Sequence, residues 1–253
     1  MNSTYIPRVR MFAGPNGSGK TSLVYRLGKE FAPDGVCSIY RFINPDEIAQ
    51  TLTIRPGLEL TEAVSLQDLL DALRLGNRLP HDHPFFSEAE LTGTRLYCPA
   101  SACDGYVAAA VADWQREALL AAKASFTFET VMSHPSKVEF LKRARDAGYR
   151  TYVYFIATDS PGLNLERVDN RVALGGHYVP KEKLIERYHR SLQLLPATLA
   201  DCTRAFIFDN SGAEPICLAE WTPDQELVVK VNLAILPAWY RRLFVLDTPK
   251  PNY

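Results

Sequence analysis

The sequence lacks the features that mark secreted, disulfide-bonded and membrane-spanning proteins. Its longest apolar runs fall short of the roughly 18 residues that a membrane-spanning helix needs, and residues 1–9 are too polar for a signal peptide. The five cysteines are odd in number and contain no CxxC pair, which fits reduced thiols better than a disulfide framework. We therefore expect a soluble, cytoplasmic protein that has no membrane partner.

The sequence also lacks an excess of charge of either sign. Lys and Arg number 28 against 29 Asp and Glu, giving a formal net charge of −1. Such a balance supplies no general field for collecting nucleic acid, and it argues against a polynucleotide partner. With 253 residues, 47% of them hydrophobic, the chain suits one large α/β domain covering residues 1–253.

Strand and helix patterns alternate along the chain and predict an α/β fold, a largely parallel sheet flanked by helices. Strands are predicted at residues 7–13, 37–43, 126–130, 150–157 and 205–208. Helices are predicted at residues 20–31, 61–75 and 133–147, from 160 towards 175, and from 180 onwards, with Ser133 capping the third.

Two regions depart from this alternation. Residues 51–104 read as an insertion after the second strand, because the helix at 61–75 is followed by an irregular stretch rich in Pro, Gly, Ser and aromatic residues. Residues 213–253 read as a C-terminal extension with a possible edge strand and an apolar helix around 227–245. Neither region has a function assigned by its sequence.

A phosphate-binding loop follows the first predicted strand. The pattern G-x-x-x-x-G-K-[ST] is met by Gly14, Pro15, Asn16, Gly17, Ser18, Gly19, Lys20 and Thr21. Glycines let successive backbone N–H groups curl around an anion, and the following helix directs its positive end at the same place. We expect Lys20 to reach the β- and γ-phosphates of ATP and the Thr21 hydroxyl to ligate Mg²⁺.

Several further strings accompany this loop. They are Ile43 to Ala49 (INPDEIA), Phe128 to Thr130 (FET), Arg167 to Pro180 (RVDNRVALGGHYVP), Arg187 to Leu192 (RYHRSL) and Phe208 to Gly212 (FDNSG). With them the chain resembles the zeta-toxin family of P-loop kinases, and most closely its compact branch, over about residues 7–50 and 105–212. The resemblance leaves residues 51–104 and the C-terminal extension unexplained.

The resemblance implies a reaction, cofactors and partners. Members of the family with an assigned reaction transfer the γ-phosphate of ATP to a sugar hydroxyl of UDP-N-acetylglucosamine, and many are toxins restrained by a small antitoxin. It therefore implies a kinase that uses ATP and Mg²⁺, a nucleotide-sugar acceptor, and a possible antitoxin protein as partner.

Three residues near strand ends are candidates for the chemistry. Asp46 follows the second strand, where ligands of open α/β sheets bind, and the resemblance gives it the role of the base that takes the acceptor proton; the alternative is a helix cap. Glu129 ends its strand and is a candidate for a metal-bound water or a substrate hydroxyl, against a solvated strand end. Thr130 is a weaker substrate candidate, because Glu-Thr-Val stands here where the larger toxins have Glu-Gly-Thr.

A helix that closes over ATP is predicted around two arginines. Arg167 and Arg171 share one helix face, and guanidinium groups stabilise the charge of a transferring phosphoryl group; the alternative is a solvated helix with paired charges. His177 stands where the larger toxins carry a second arginine, and we expect it to contact the nucleotide or fix this lid.

Two other functional interpretations stay open. The acceptor of a P-loop kinase can instead be a nucleic-acid end, a nucleotide cofactor or a protein side chain, and the insertion at 51–104 directly follows Asp46 in the chain. Alternatively, the protein is a non-catalytic binding module gated by ATP.

Overall fold

The computed structural model describes residues 5–30, 41–60, 64–173, 179–224 and 226–244. Within these ranges no helix has both the length and the apolar character needed to cross a membrane. The chain divides into two compact units, one made of residues 1–39 and 129–253 and the other of residues 40–128.

The described residues form ten strands and nine α-helices. The strands are β1 (Arg8–Ala13), β2 (Arg41–Ile43), β3 (Leu58–Glu59), β4 (Glu90–Thr92), β5 (Arg95–Tyr97), β6 (Phe126–Thr130), β7 (Arg150–Ala157), β8 (Arg204–Asp209), β9 (Ile216–Thr222) and β10 (Glu226–Val229). The helices are α1 (Lys20–Glu30), α2 (Pro45–Leu52), α3 (Leu66–Leu75), α4 (Phe85–Glu88), α5 (Gly105–Ala121), α6 (Ser136–Asp146), α7 (Pro161–Ala173), α8 (Lys181–Ala200) and α9 (Ala238–Leu243).

Seven strands form one mostly parallel sheet in the order β10-β9-β8-β7-β1-β6-β2. β7 pairs in parallel with both β1 and β8, and β2 pairs in parallel with β6. β9 and β10 extend the sheet in antiparallel fashion beyond β8. The predicted fold class, a largely parallel sheet flanked by helices, is confirmed.

The core of the first unit lies along β1, β7 and β8. Met11 and Phe12 are buried because β1 is central in the sheet, where both faces of a strand are covered. The rings of Phe12 and Tyr154 stack with centroids 4.5 Å apart, and Phe206 on β8 continues the stack at 5.3 Å from Tyr154. This cross-strand ladder fixes the relative register of three parallel strands.

The second unit contains its own small sheet. β3, β5 and β4 form an antiparallel sheet, and α2 packs against α5. The predicted insertion at 51–104 is therefore built from regular elements, and the stretch expected to be irregular carries α4, β4 and β5. The helix predicted at 61–75 begins at Leu66, with the Ser65 side chain accepting from the backbone N–H of Asp68; residues 61–63 lie outside the described ranges.

Helix α5 is absent from the sequence prediction. Residues Val107, Ala108, Ala110, Val111 and Ala112 are all buried, so its apolar positions run around much of the helix. The apolar residues of α5 therefore form no clear stripe with a period of 3.6 residues, and the sequence lacks the usual sign of an amphipathic helix.

Two other local predictions need correction, and a third is tested only in part. Ser133 does not cap the helix expected at 133–147, because α6 begins at Ser136 after Pro135, and no side chain caps it. The apolar helix expected around 227–245 is wrong over most of its length: residues 226–229 form β10, and only 238–243 are helical. The second strand covers Arg41–Ile43, and the rest of its predicted span lies outside the described residues.

Candidate functional site

The loop between β1 and α1 has the backbone of a phosphate cradle. Gly17 and Gly19 have φ values of 74° and 91°, a region that side-chain-bearing residues rarely adopt. A Cβ atom on Gly17 would lie 2.6 Å from the carbonyl oxygen of Asn164, and one on Gly19 would collide with the amide of Asn210. The glycines are needed both for the turn and for this close packing, which leaves the loop backbone to line the cradle.

Lys20 bends back over this loop. Its Nζ donates hydrogen bonds of 2.8 Å to the carbonyl oxygens of both Gly14 and Pro15. Lys20 is also the first residue of α1, so the positive end of the helix dipole lies at the same place. A cation and a helix N-terminus beside a glycine-rich turn fit a chain of phosphate groups.

Thr21 and Glu129 bring two oxygen ligands together beside the loop. The Thr21 hydroxyl donates a hydrogen bond of 3.0 Å to Oε2 of Glu129, whose side chain is buried at the end of β6. Hydroxyl and carboxylate oxygens suit Mg²⁺. Among the described residues no group of three or more His, Cys, Asp or Glu gathers to hold a metal ion, so an ion at this pair would take its remaining ligands from phosphate and water, as Mg²⁺ commonly does.

Thr130 is engaged by the loop and by its own turn. Its carbonyl oxygen accepts from the N–H of Gly14 at 3.3 Å, and its hydroxyl oxygen accepts from the N–H of Met132 at 3.0 Å. These contacts tie the end of β6 to the start of the loop. Thr130 therefore has a structural role in addition to the substrate contact predicted for it.

Helix α7 carries the two predicted arginines. Arg167 is half-buried, and its Nη1 donates a 2.8 Å hydrogen bond to the carbonyl oxygen of Asn210. Arg171 lies one turn further along the same helix and is exposed. The predicted lid residue His177 lies outside the described residues.

Two asparagines that the sequence interpretation gave no role contact the loop. Asn164 on α7 is buried, and its Nδ2 donates to the carbonyl oxygen of Asn16. Asn210, directly after β8, donates from its Nδ2 to the carbonyl oxygen of Ser18 at 2.8 Å. Asn210 belongs to one of the strings that carry the family resemblance, but both partners are main-chain atoms, and no side-chain pattern marks such contacts.

The turn that carries Asn210 is fixed by Asp209. Oδ2 of Asp209 accepts from Nε1 of Trp239 at 2.8 Å and from the Ser211 hydroxyl at 3.0 Å, while its Oδ1 accepts from the N–H of Ser211. The hydroxyl oxygen of Ser211 in turn accepts from the N–H of Asp159 at 2.8 Å. The side chains of Asp209 and Ser211 are therefore hydrogen-bonded within the protein.

Asp46 belongs to the second unit, where it is an exposed residue in the first turn of α2. The cap of that helix is Asn44, whose Oδ1 accepts from the N–H of Asp46 at 3.0 Å. Asn44 therefore caps this helix, and Asp46 does not. Its carboxylate stays a candidate for the base.

Comparison with known proteins finds a similarity to one family. The model of the family described as Zeta toxin matches residues 96–216. Comparison with curated proteins gives no match.

Solved structures resemble this chain at low sequence identity. A chain from the crystal structure of AvrRxo1-ORF1:AvrRxo1-ORF2 with sulphate ions is 13% identical with a TM-score of 0.57, over 95% of this chain and 64% of that one. A chain from AvrRxo1-ORF1:-ORF2 with ATP is 13% identical with a TM-score of 0.56, over 90% and 61%. A chain from the PezAT chromosomal toxin-antitoxin system of Streptococcus pneumoniae is 15% identical with a TM-score of 0.48, over 98% and 82%.

The strand–loop–helix geometry and the mostly parallel sheet are those of a P-loop NTPase fold. The match to the zeta toxin family model covers just under half of the chain and supports the predicted resemblance to that family. The chain spans less than two thirds of the length of the AvrRxo1 chains that it matches. Assignment to the branch that phosphorylates UDP-N-acetylglucosamine stays a prediction.

Proposed function

We propose that the protein is a phosphotransferase that moves the γ-phosphoryl group of ATP to an alcohol group with the help of Mg²⁺. The observation that carries this proposal is the arrangement of Lys20 over the glycine loop beside the Thr21–Glu129 pair. The zeta toxin family match supports the reaction class. A structure of the same fold was crystallised with ATP, which supports the donor.

The loop and the residues around it would bind the donor. Backbone N–H groups of residues 16–19 and the ammonium group of Lys20 would hold the phosphates, with Lys20 exchanging its two loop carbonyls for phosphate oxygens. The Thr21 hydroxyl would ligate Mg²⁺, and Glu129 would hold a water of the ion. When bound, Mg²⁺ neutralises charge on the phosphates.

The remaining candidates would act on the acceptor and the transferring group. Asp46 would accept the proton of the attacking hydroxyl while the bond from the acceptor oxygen to the γ-phosphorus forms and the bond to the leaving ADP oxygen breaks. Arg171 would stabilise the charge on the transferring group. On the resemblance alone, we propose a sugar hydroxyl of a UDP-N-acetyl sugar as the acceptor, with Thr130 and His177 contributing to its binding.

The reaction is tested with purified protein, ATP, Mg²⁺ and a panel of UDP-sugars, with ADP and phosphorylated products measured by mass spectrometry. We expect ADP and a singly phosphorylated sugar nucleotide, and much slower formation of both products by Lys20→Ala. If ADP release requires a different acceptor from a cell extract, the sugar is not the acceptor, but the assignment as a phosphotransferase stands. ATP binding without ADP release under any of these conditions would contradict the enzyme and favour the binding module.

The family name also supports a cellular role. We propose that the chain is a toxin and that an antitoxin protein restrains it. Induced expression should then slow bacterial growth, and Lys20→Ala should abolish the effect at equal protein level. Equal growth inhibition by both forms would contradict a toxicity that depends on phosphoryl transfer.

A further inference from the structure

Asn210 touches three separate parts of the first unit. Its backbone N–H donates to the carbonyl oxygen of Ala157 at the end of β7, and its carbonyl oxygen accepts from Arg167 on α7, both at 2.8 Å. Its side-chain Nδ2 donates to the carbonyl oxygen of Ser18 in the loop, also at 2.8 Å. One residue thus joins the sheet, the arginine-bearing helix and the phosphate loop.

The contact with Ser18 lies at a tightly packed point of the loop. Ser18 is completely buried, and the amide of Asn210 sits where any side chain at Gly19 would have to go. A buried carbonyl that loses its donor carries the full cost of desolvation. The Asn210 amide is therefore the group that satisfies this part of the loop.

A second asparagine, Asn164, contacts the loop at Asn16 and Gly17. Asn164 donates to the carbonyl oxygen of Asn16 and accepts from the Thr158 hydroxyl, while its own carbonyl packs against Gly17. Asn164 belongs to the same helix as Arg167. Two side-chain amides therefore connect α7 and the turn after β8 to two carbonyls of the loop, those of Asn16 and Ser18.

We infer that Asn210 is a positioning residue for the nucleotide site, and that Arg167 acts through it. The polar chain Arg167–Asn210–Ser18 transmits the position of α7 to the loop backbone, so Arg167 shapes the loop that binds ATP. Contact with the transferring phosphoryl group falls to the exposed Arg171. This inference rests on the proposed function for its kinetic readout only.

A double-mutant cycle in the full-length protein tests the connected contacts of Arg167, Asn210 and Ser18. Asn210→Ala and Arg167→Ala should each raise KM for ATP by about three- to tenfold, the size of one or two net hydrogen bonds, with a smaller change in kcat. The double variant should be less impaired than the product of the single effects, because both changes break the same connection. Arg171→Ala should instead lower kcat, and its effect should multiply with that of Asn210→Ala.

Isosteric and matched variants separate positioning from folding. Asn210→Asp keeps the size of the side chain but turns the donor into a carboxylate facing a carbonyl, so KM for ATP should rise at least as much as in Asn210→Ala. Asn170→Ala removes an exposed asparagine from α7 and should leave KM for ATP unchanged. Multiplicative effects of the Arg167 and Asn210 substitutions, or an unchanged KM in Asn210→Asp, would overturn the inference.

Hydrogen exchange followed by mass spectrometry gives a readout that needs no ATP. Peptides covering residues 14–21 should exchange faster in Asn210→Ala and in Asn210→Asp than in the parent and in Asn170→Ala. Unchanged exchange of the loop in both Asn210 variants would overturn the inference. Faster exchange in a protein that releases no ADP would uphold the positioning role while contradicting the proposed function, so the two failures are distinguishable.

Discussion

The hydroxyl of Thr21 and the carboxylate of Glu129 lie 3.0 Å apart although 108 positions separate them in the chain. Thr21 belongs to the first turn of α1 and Glu129 to the end of β6, and the central strands of the sheet bring these two ends together. The carboxyl ends of parallel strands share one edge of a sheet, which is where ligands of this fold class bind.

We predict that Glu129→Gln raises the Mg²⁺ concentration needed for half-maximal ADP release by about 10- to 100-fold, the usual effect of losing a group that orients metal ligands. The substitution keeps the side-chain volume and removes the charge. A magnesium titration at saturating ATP provides the measurement. Glu139→Gln, an exposed position on α6, is the matched control, and identical magnesium curves for all three proteins would contradict the role of Glu129.

We predict that Lys20→Ala lowers kcat/KM for ATP by on the order of 10²- to 10³-fold, as expected for removal of one charged donor to a transferring group. Steady-state kinetics of ADP release measures this loss. Lys29→Ala removes an exposed lysine from the last turn of the same helix and should retain parental kinetics. Parental activity in Lys20→Ala would show that this lysine serves only the two loop carbonyls.

We predict that Asp46→Asn retains ATP affinity but loses phosphoryl transfer by about 10²- to 10⁴-fold, the range expected for removal of a general base. Affinity is measured by titration with a non-hydrolysable ATP analogue, and transfer by product formation. Asp71→Asn changes an exposed aspartate on α3 in the same unit and should leave both unchanged. Undiminished transfer by Asp46→Asn would contradict the role of Asp46 as the general base.

We predict that Trp239→Phe lowers the free energy of unfolding by about 1–3 kcal/mol. Trp239 is completely buried, and the smaller ring leaves a cavity and removes the hydrogen bond to Asp209. Urea unfolding measures the change. Trp221→Phe, at a half-exposed position, is the comparison, and an equal or smaller loss in Trp239→Phe would contradict the assigned packing.

We predict that stability falls as the pH rises from about 10 to about 12, partly because of Tyr188. Burial raises the pKa of Tyr188 to about 12, whereas the unfolded chain releases this proton near its ordinary pKa of about 10. Over that interval the folded state holds more protons than the unfolded state, so the free energy of unfolding decreases with pH. Tyr188→Phe should reduce this slope in urea unfolding series, and an unchanged slope would contradict the assignment.

The parallel strands of the central sheet were predictable because their sequences are largely apolar runs between turn residues. β6 and β7 match their predicted bounds at both ends. β10 was predicted as helix because Leu and Val runs of this length do not distinguish the two states. Its state is decided by pairing with β9, which is a tertiary interaction.

The residues of the candidate site also differ in whether the sequence alone identifies them. The glycine spacing identifies the loop and Lys20 because the backbone turn itself demands those residue types. Asn164 and Asn210 bind main-chain carbonyls, and any of many polar residues would look equally suitable in the sequence. Their importance appears only when the loop, α7 and the turn after β8 are seen together.

Trp239 gives the protein a built-in optical probe. Its indole is shielded from solvent, lies against the ring of Phe155 with centroids 6.2 Å apart, and donates to the carboxylate that holds the turn next to Asn210. Indole emission responds to local polarity and to quenching neighbours. In a Trp114→Phe, Trp221→Phe background, intrinsic fluorescence alone would report rearrangement of that turn in real time, without any attached dye.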